Sequence, residues 1–222
     1  MPIPQWLDLA AVIVGAVAGV LVAQERKLDL VGFIAMALIC ALGGGLLRDA
    51  ILQQGGVYAL NSRWAIPFCV IVGVLGFCFP GVVTRFPHLY EWVDMVSVGL
   101  FVVAGTDKAL VYEQHASAVV LMGVITGVGG GMLRDVFMGV VPRVFRQSNF
   151  YALCAVGGAV CYYLCVVAFG LDRAIASAVT VAVVVGLRQA SLRFGILSPA
   201  DVDLGAAVAK VAKHTHKHDD QD

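Results

Sequence analysis

The string Gly43-Gly44-Gly45-Leu46-Leu47-Arg48-Asp49 returns 86 residues later as Gly129-Gly130-Gly131-Met132-Leu133-Arg134-Asp135. No other feature limits the fold as strongly. At the same offset Trp6 falls on Trp92, Asp8 on Asp94, and Ala18-Gly19 on Ala104-Gly105. Both copies lie inside long apolar runs. Read on run length, the chain holds seven such runs, at 7–23, 30–52, 65–83, 91–112, 117–138, 150–169 and 172–193. Each repeat therefore takes three helices. An odd number forces the second copy to enter a membrane from the opposite side, which makes this an inverted repeat with a seventh helix appended. The expected fold is an all-α membrane protein with seven transmembrane helices. Its parts are a first three-helix repeat at 1–86, an inverted repeat at 87–170, the seventh helix at 171–198 and a polar tail at 199–222, expected to be disordered.

Composition supports a lipid solvent. Of 222 residues, 60% are apolar and 14% charged, whereas soluble domains average about 45–50% and about 25%. A bilayer helix needs about 20 apolar residues, so seven spans leave no room for a soluble catalytic domain. The runs are too long and too evenly apolar for barrel strands, which alternate. Fifteen basic residues balance fifteen acidic ones, so no global field favours nucleic acid as a partner. Cys40, Cys69, Cys78, Cys154, Cys161 and Cys165 all fall within spans without a C-x-x-C spacing, where free cysteine acts as a small hydrophobe.

Basic residues near span ends set the orientation. Arg26, Lys27, Arg85, Arg143, Arg146, Arg188, Arg193, Lys210, Lys213 and Lys217 share one side, against Arg63, Lys108 and Arg173 on the other. The positive-inside rule places the C-terminus in the cytoplasm and the N-terminus outside. The first span has no basic stretch before it and reads as a retained helix, not a signal peptide.

Three consecutive glycines in a helix each cost about 1 kcal/mol relative to alanine and uncover the backbone. Irregular backbone survives in a bilayer only against protein or a water-filled cavity. The triplets Gly43, Gly44, Gly45 and Gly129, Gly130, Gly131 are thus candidate hinges that expose carbonyls to a pathway. Close helix packing is the competing reading. Intramembrane charges usually face protein or water, which singles out Arg48, Asp49, Arg134 and Asp135. Helix depth puts Asp8 near Arg48 at the outer face and Asp94 near Arg134 at the inner face. These carboxylates either pin helix to helix or belong to a gate or pore mouth. Asp107 and Lys108 break the repeat, because they match apolar Leu21 and Val22. Lys108 either snorkels to the surface or puts a charge on the pathway.

The tail carries His214, His216 and His218, a pattern more typical of a solvated terminus than of a metal site. No nucleotide loop, zinc-protease motif, nucleophile elbow or triad is visible. Neither enzyme activity nor a cofactor is expected; permeant potassium or sodium ions and bound lipid are the ligands a pathway would meet.

The doubled G-G-G-x-L-R-D over two three-helix repeats plus a seventh helix resembles the prokaryotic branch of the trimeric intracellular cation (TRIC) channels, whose bacterial sequences also carry a glycine-transporter-like domain. The similarity covers residues 5–195, and Gly105-Thr106-Asp107-Lys108-Ala109-Leu110 resembles the family's fourth helix. It implies a homotrimer in a bacterial cytoplasmic membrane, with one pore per subunit. The pore would be lined mainly by the second and fifth spans, bent at the glycine triplets, and would pass potassium. The same resemblance puts Arg48, Asp49, Arg134, Asp135 and Lys108 beside the pathway. The animal members' lysine–glutamate–valine motif is absent. Physics alone leaves open a secondary transporter for a small amino acid such as glycine, because an inverted repeat serves either mechanism. A scaffold without transport is a third reading, and the intramembrane charges argue against it.

Overall fold

A computed structural model describes residues 5–79, 89–145 and 151–195, with the side chains of Gln5 and Trp6 not described. The expected tail at 199–222, its histidines and the boundary at 86–87 lie outside the described residues. Among those residues the secondary structure is helical throughout. There are eight α-helices: α1 (Gln5–Glu25), α2 (Leu30–Leu52), α3 (Tyr58–Asn61), α4 (Ala65–Cys78), α5 (Leu89–Val111), α6 (Ala116–Phe137), α7 (Tyr151–Tyr163) and α8 (Arg173–Arg193).

Five helical segments are long and apolar enough to cross a bilayer: Leu7–Glu25, Leu30–Leu52, Ala116–Phe137, Tyr151–Ala168 and Arg173–Arg193. The chain is a multi-pass membrane protein on this count alone. Two expected spans differ. Helix α4 has only 14 residues. Helix α5 has 23 but carries Glu91, Asp94, Asp107 and Lys108, so its charges dilute the apolar signal. At the end of α7 the chain widens into a π-helical turn over Leu164–Ala168.

The turns show why the helices end where they do. Lys27 (φ 52°) and Glu113 (φ 53°) both take the left-handed conformation. At each turn the following N–H reaches back five residues, Leu28 to the Ala23 carbonyl at 3.0 Å and Gln114 to the Ala109 carbonyl at 3.1 Å. That bond closes the helix end. Helix α2 then starts on Asp29, whose carboxylate accepts from the Gly32 N–H at 2.8 Å, and Asp172 does the same for the Ala174 N–H of α8.

Helices α2 and α6 cross at the centre. Helices α1 and α4 pack on α2, while α5 and α7 pack on α6, with α8 against α5 and α7. A Cβ on Gly44 would lie 2.2 Å from the Thr126 carbonyl oxygen, and one on Gly130 would lie 2.5 Å from that of Cys40. Residues 40 and 44 thus meet 130 and 126, so the two helices run antiparallel. Only glycine allows their backbones to touch.

Candidate functional site: two polar vestibules flanking a glycine crossing

Both triplets sit in unbroken α-helix. Gly43 and Gly129 join Gly44 and Gly130 in the contact, with a Cβ on Gly129 falling 3.0 Å from the Gly44 Cα. Packing therefore accounts for four of the six glycines. The third glycine of each triplet is different. Nothing lies within 3.9 Å of a Cβ on Gly45, and there the neighbour is the Arg48 guanidinium; a Cβ on Gly131 would meet the Tyr151 hydroxyl at 3.0 Å and Arg134 at 3.7 Å. Those two positions border the polar ends of the crossing.

Arg48 and Arg134 each follow the crossing by one turn on antiparallel helices. At about 1.5 Å per residue they lie some 13 Å apart along the axis, on opposite sides of the contact. Both are buried, and so are Asp49 and Asp135. Arg48 donates from Nε to Asp49 Oδ1 at 2.7 Å, and Arg134 from Nε to Asp135 Oδ1 at 2.9 Å. The second oxygen of each carboxylate holds the segment that follows the helix: Asp49 Oδ2 accepts from the Tyr58 N–H at 2.8 Å, and Asp135 Oδ2 from the Arg143 N–H at 3.0 Å. Each Arg-Asp pair thus neutralises itself and anchors its loop.

The two ends differ in their further partners. At the Arg134 end, the guanidinium donates to the Tyr90 hydroxyl at 2.7 Å and reaches Asp94 at 3.5 Å. Arg143 approaches Asp94 at 3.9 Å, and both arginines lie over the Tyr90 ring. At the Arg48 end, the guanidinium turns to the Ala104 carbonyl at 3.4 Å, and Asp8 makes no hydrogen bond to it among the described residues. Lys108 joins this pair as a second donor: its ammonium donates to Asp49 Oδ1 at 2.7 Å and to the Gly56 carbonyl at 3.1 Å. It points inward, with 17% of its side chain exposed.

Asp107, the neighbour of Lys108, points elsewhere. It is buried and accepts from the Tyr162 hydroxyl at 2.8 Å and from Arg173, tying α5 to α7 and to the start of α8. The sequence marks Arg173 only as a basic residue near a span end and does not single out Tyr162; the available signal is that a tyrosine in an apolar run needs a partner for its hydroxyl. Tyr58 and Tyr90 were also missed.

Cavities open at both ends. The first has a volume of about 680 Å³ and is lined by Asp8, Arg48, Tyr58, Asp107, Lys108 and Tyr112, among others. A void of about 20 Å³ shares Asp8, Arg48 and Tyr58 with it and reaches Gly45 and Phe101. The other cavity, of about 120 Å³, is lined by Glu25, Arg26, Tyr90, Arg134, Asp135 and Arg143. Asp8 and Glu25 belong to the same helix and mark its two ends, about 25 Å apart. Burial pushes the Tyr58 phenol above its ordinary range, so it contributes a neutral hydroxyl.

Among the described residues no group of histidine, cysteine and carboxylate side chains is arranged to hold a metal.

Comparison with known proteins agrees with this architecture. The family model described as glycine transporter matches twice, at residues 5–80 and 91–167. The chain is 32% identical to the UPF0126 inner membrane protein YadS of Escherichia coli K12 over 87% of its own length and 94% of that protein's. It is 35% identical to a UPF0126 membrane protein of Vibrio cholerae over 68% of this chain and 64% of the relative. Among solved structures, the TRIC trimeric intracellular cation channel orthologue from Rhodobacter sphaeroides superposes with a TM-score of 0.78 at 30% identity, covering 86% of this chain and 97% of that one.

Proposed function

Given that the chain belongs to the prokaryotic branch of the TRIC family, we propose that it is a monovalent-cation channel of a bacterial cytoplasmic membrane, permeable to potassium. One observation carries this reading: two cavities open at opposite ends of a single helix crossing, and each reaches the buried arginine of an Arg-Asp pair one turn from a glycine triplet. A pathway through the subunit would run along α2 and α6, past Gly45 and Gly131. Each subunit then holds its own pore, and three subunits form the channel. Seven spans cross the bilayer in this reading, with α4 and α5 as the third and fourth.

The inverted arrangement is supported by what recurs at the 86-residue offset: the left-handed Lys27 and Glu113, their back-reaching hydrogen bonds, and the two loop-anchoring carboxylates. Charge asymmetry favours an outer N-terminus and a cytoplasmic C-terminus, which makes the Lys108 cavity the outer vestibule and the Arg143 cavity the inner one. Exposed apolar residues such as Val31, Leu60, Ile71, Phe137 and Phe169 would face lipid or a neighbouring subunit.

The matching family is described as a glycine transporter, so the carrier is the reading to be excluded. Purified protein in a planar bilayer decides between them. Discrete unitary potassium currents are expected. Saturable glycine uptake by proteoliposomes without such currents would establish the carrier instead. Crosslinking in mild detergent should yield trimers; a ladder that stops at dimers would contradict the assembly.

A further inference from the structure

Among the described residues, Asp8 is the carboxylate lining the larger vestibule that has no hydrogen bond or ion pair. Asp49 is held by Arg48, Lys108 and the Tyr58 N–H, and Asp107 by Tyr162 and Arg173. Asp8 makes no hydrogen bond or ion pair with any group among the described residues, yet it borders both the 680 Å³ cavity and the small void beside Arg48. Its repeat mate shows that this is a departure. Asp94 lies against Arg134 at 3.5 Å and Arg143 at 3.9 Å. In the first repeat Arg48 has turned to Asp49 and to the Ala104 carbonyl, and the pairing is given up.

A carboxylate in largely apolar surroundings requires a counter-charge or water. Three cations line the cavity: Arg48 and Lys108 share Asp49, and Arg63 lies on the wall near Asn61, Ser62 and Trp64. The cavity is open to solvent and Asp8 lies on its wall. We propose that Asp8 is a binding subsite for a permeant monovalent cation in the vestibule, where an ion waits, partly hydrated, before entering the crossing. This deepens the channel reading and rests on it for the word permeant. A divalent ion is disfavoured, since calcium takes six to eight oxygen ligands and usually several carboxylates, while here one carboxylate stands beside Arg48 and Lys108. A single carboxylate with water gives the weak, exchanging site that conduction needs. The Tyr58 hydroxyl, on the wall of both cavities, offers a neutral oxygen.

The test uses the whole purified chain and two readouts. The first is thermal unfolding in detergent at constant ionic strength, with potassium or thallium nitrate replacing N-methylglucamine nitrate. The second is unitary potassium conductance in a planar bilayer. Wild-type protein should melt at a higher temperature as K⁺ or Tl⁺ is raised, because an ion that binds only the folded state stabilises it. Asp8→Asn should abolish that dependence and lower conductance about three- to tenfold at low salt, less at high salt where the charge is screened. Asp8→Glu should restore both in part. Should Asp8→Asn fold poorly, Asp8→Glu alone carries the test, through a shifted cation dependence with a native melting curve. An Asp8→Asn protein with wild-type cation dependence and conductance overturns the subsite, and so does a conducting wild type with no cation-dependent melting. An Asp8-dependent melting shift in a wild type that passes no current instead overturns the channel and leaves the subsite in place.

Discussion

The Lys108 ammonium lies 2.7 Å from Asp49 Oδ1, joining the C-terminal half of α5 to the last turns of α2 across 59 residues of chain. Arg48 occupies the same carboxylate oxygen at the same distance. Removing Lys108 therefore leaves Asp49 still paired. Lys108→Ala should cost about 1–2 kcal/mol of unfolding free energy in detergent, below the usual loss for breaking a buried ion pair. In bilayer recordings it should change the voltage dependence of opening, because a charge crossing the full field carries about 2.3 kcal/mol per 100 mV. Unchanged conductance and unchanged voltage dependence together would remove Lys108 from the pathway.

The pin between α5 and α6 is testable on its own. Arg134 is buried among Asp94, Asp135 and the Tyr90 hydroxyl. Arg134→Ala should cost about 3–5 kcal/mol, since it strands buried carboxylates. In a double-mutant cycle, Asp94→Asn and Arg134→Gln should couple by at least about 0.5 kcal/mol. Charge reversal at Arg134 should be rescued only in part by reversal at Asp94, because Asp135 would then face a new like charge.

The glycine triplets divide by position. Gly44→Ala places a methyl group 2.2 Å from the Thr126 carbonyl oxygen and should destabilise by about 1–3 kcal/mol. Gly45→Ala meets nothing closer than 3.9 Å and should instead stabilise by about 0.5–1 kcal/mol, as alanine does in a helix interior. Equal effects at the two positions, in chemical unfolding, would show that the crossing is looser than its geometry.

Tyr162→Phe removes one of the donors on buried Asp107 and leaves Arg173. A loss of about 1–3 kcal/mol in thermal unfolding is expected, with Asp107→Asn more damaging because Arg173 then loses its counter-charge.

How much of this could be read in advance follows from what each residue depends on. The spans came from run length, a property of consecutive residues, and five of them stand clear of their neighbours on hydropathy. The Arg134–Asp94 contact followed from helix depth and the repeat. The same reasoning paired Asp8 with Arg48; the two share the lining of both cavities at that end, but no hydrogen bond joins them, because a long arginine can curl onto the residue beside it, and spacing rules for helix faces do not anticipate that. Nothing local marks Tyr162 and Arg173 as partners of Asp107, since they lie 55 and 66 residues away. The glycines were legible as a break in shielding, but which of them touch the opposite backbone depends on crossing geometry.

Asp49 also has a consequence for speed. A lysine that alone neutralised a buried carboxylate could leave only by exposing a naked charge, and such a lock opens rarely. Here the arginine stays behind on the same oxygen while the Tyr58 N–H keeps the other. Departure of Lys108 strands nothing on the α2 side; the remaining donor tightens as its competitor goes. Sharing one counter-ion among three donors turns what would be a rivet into a catch.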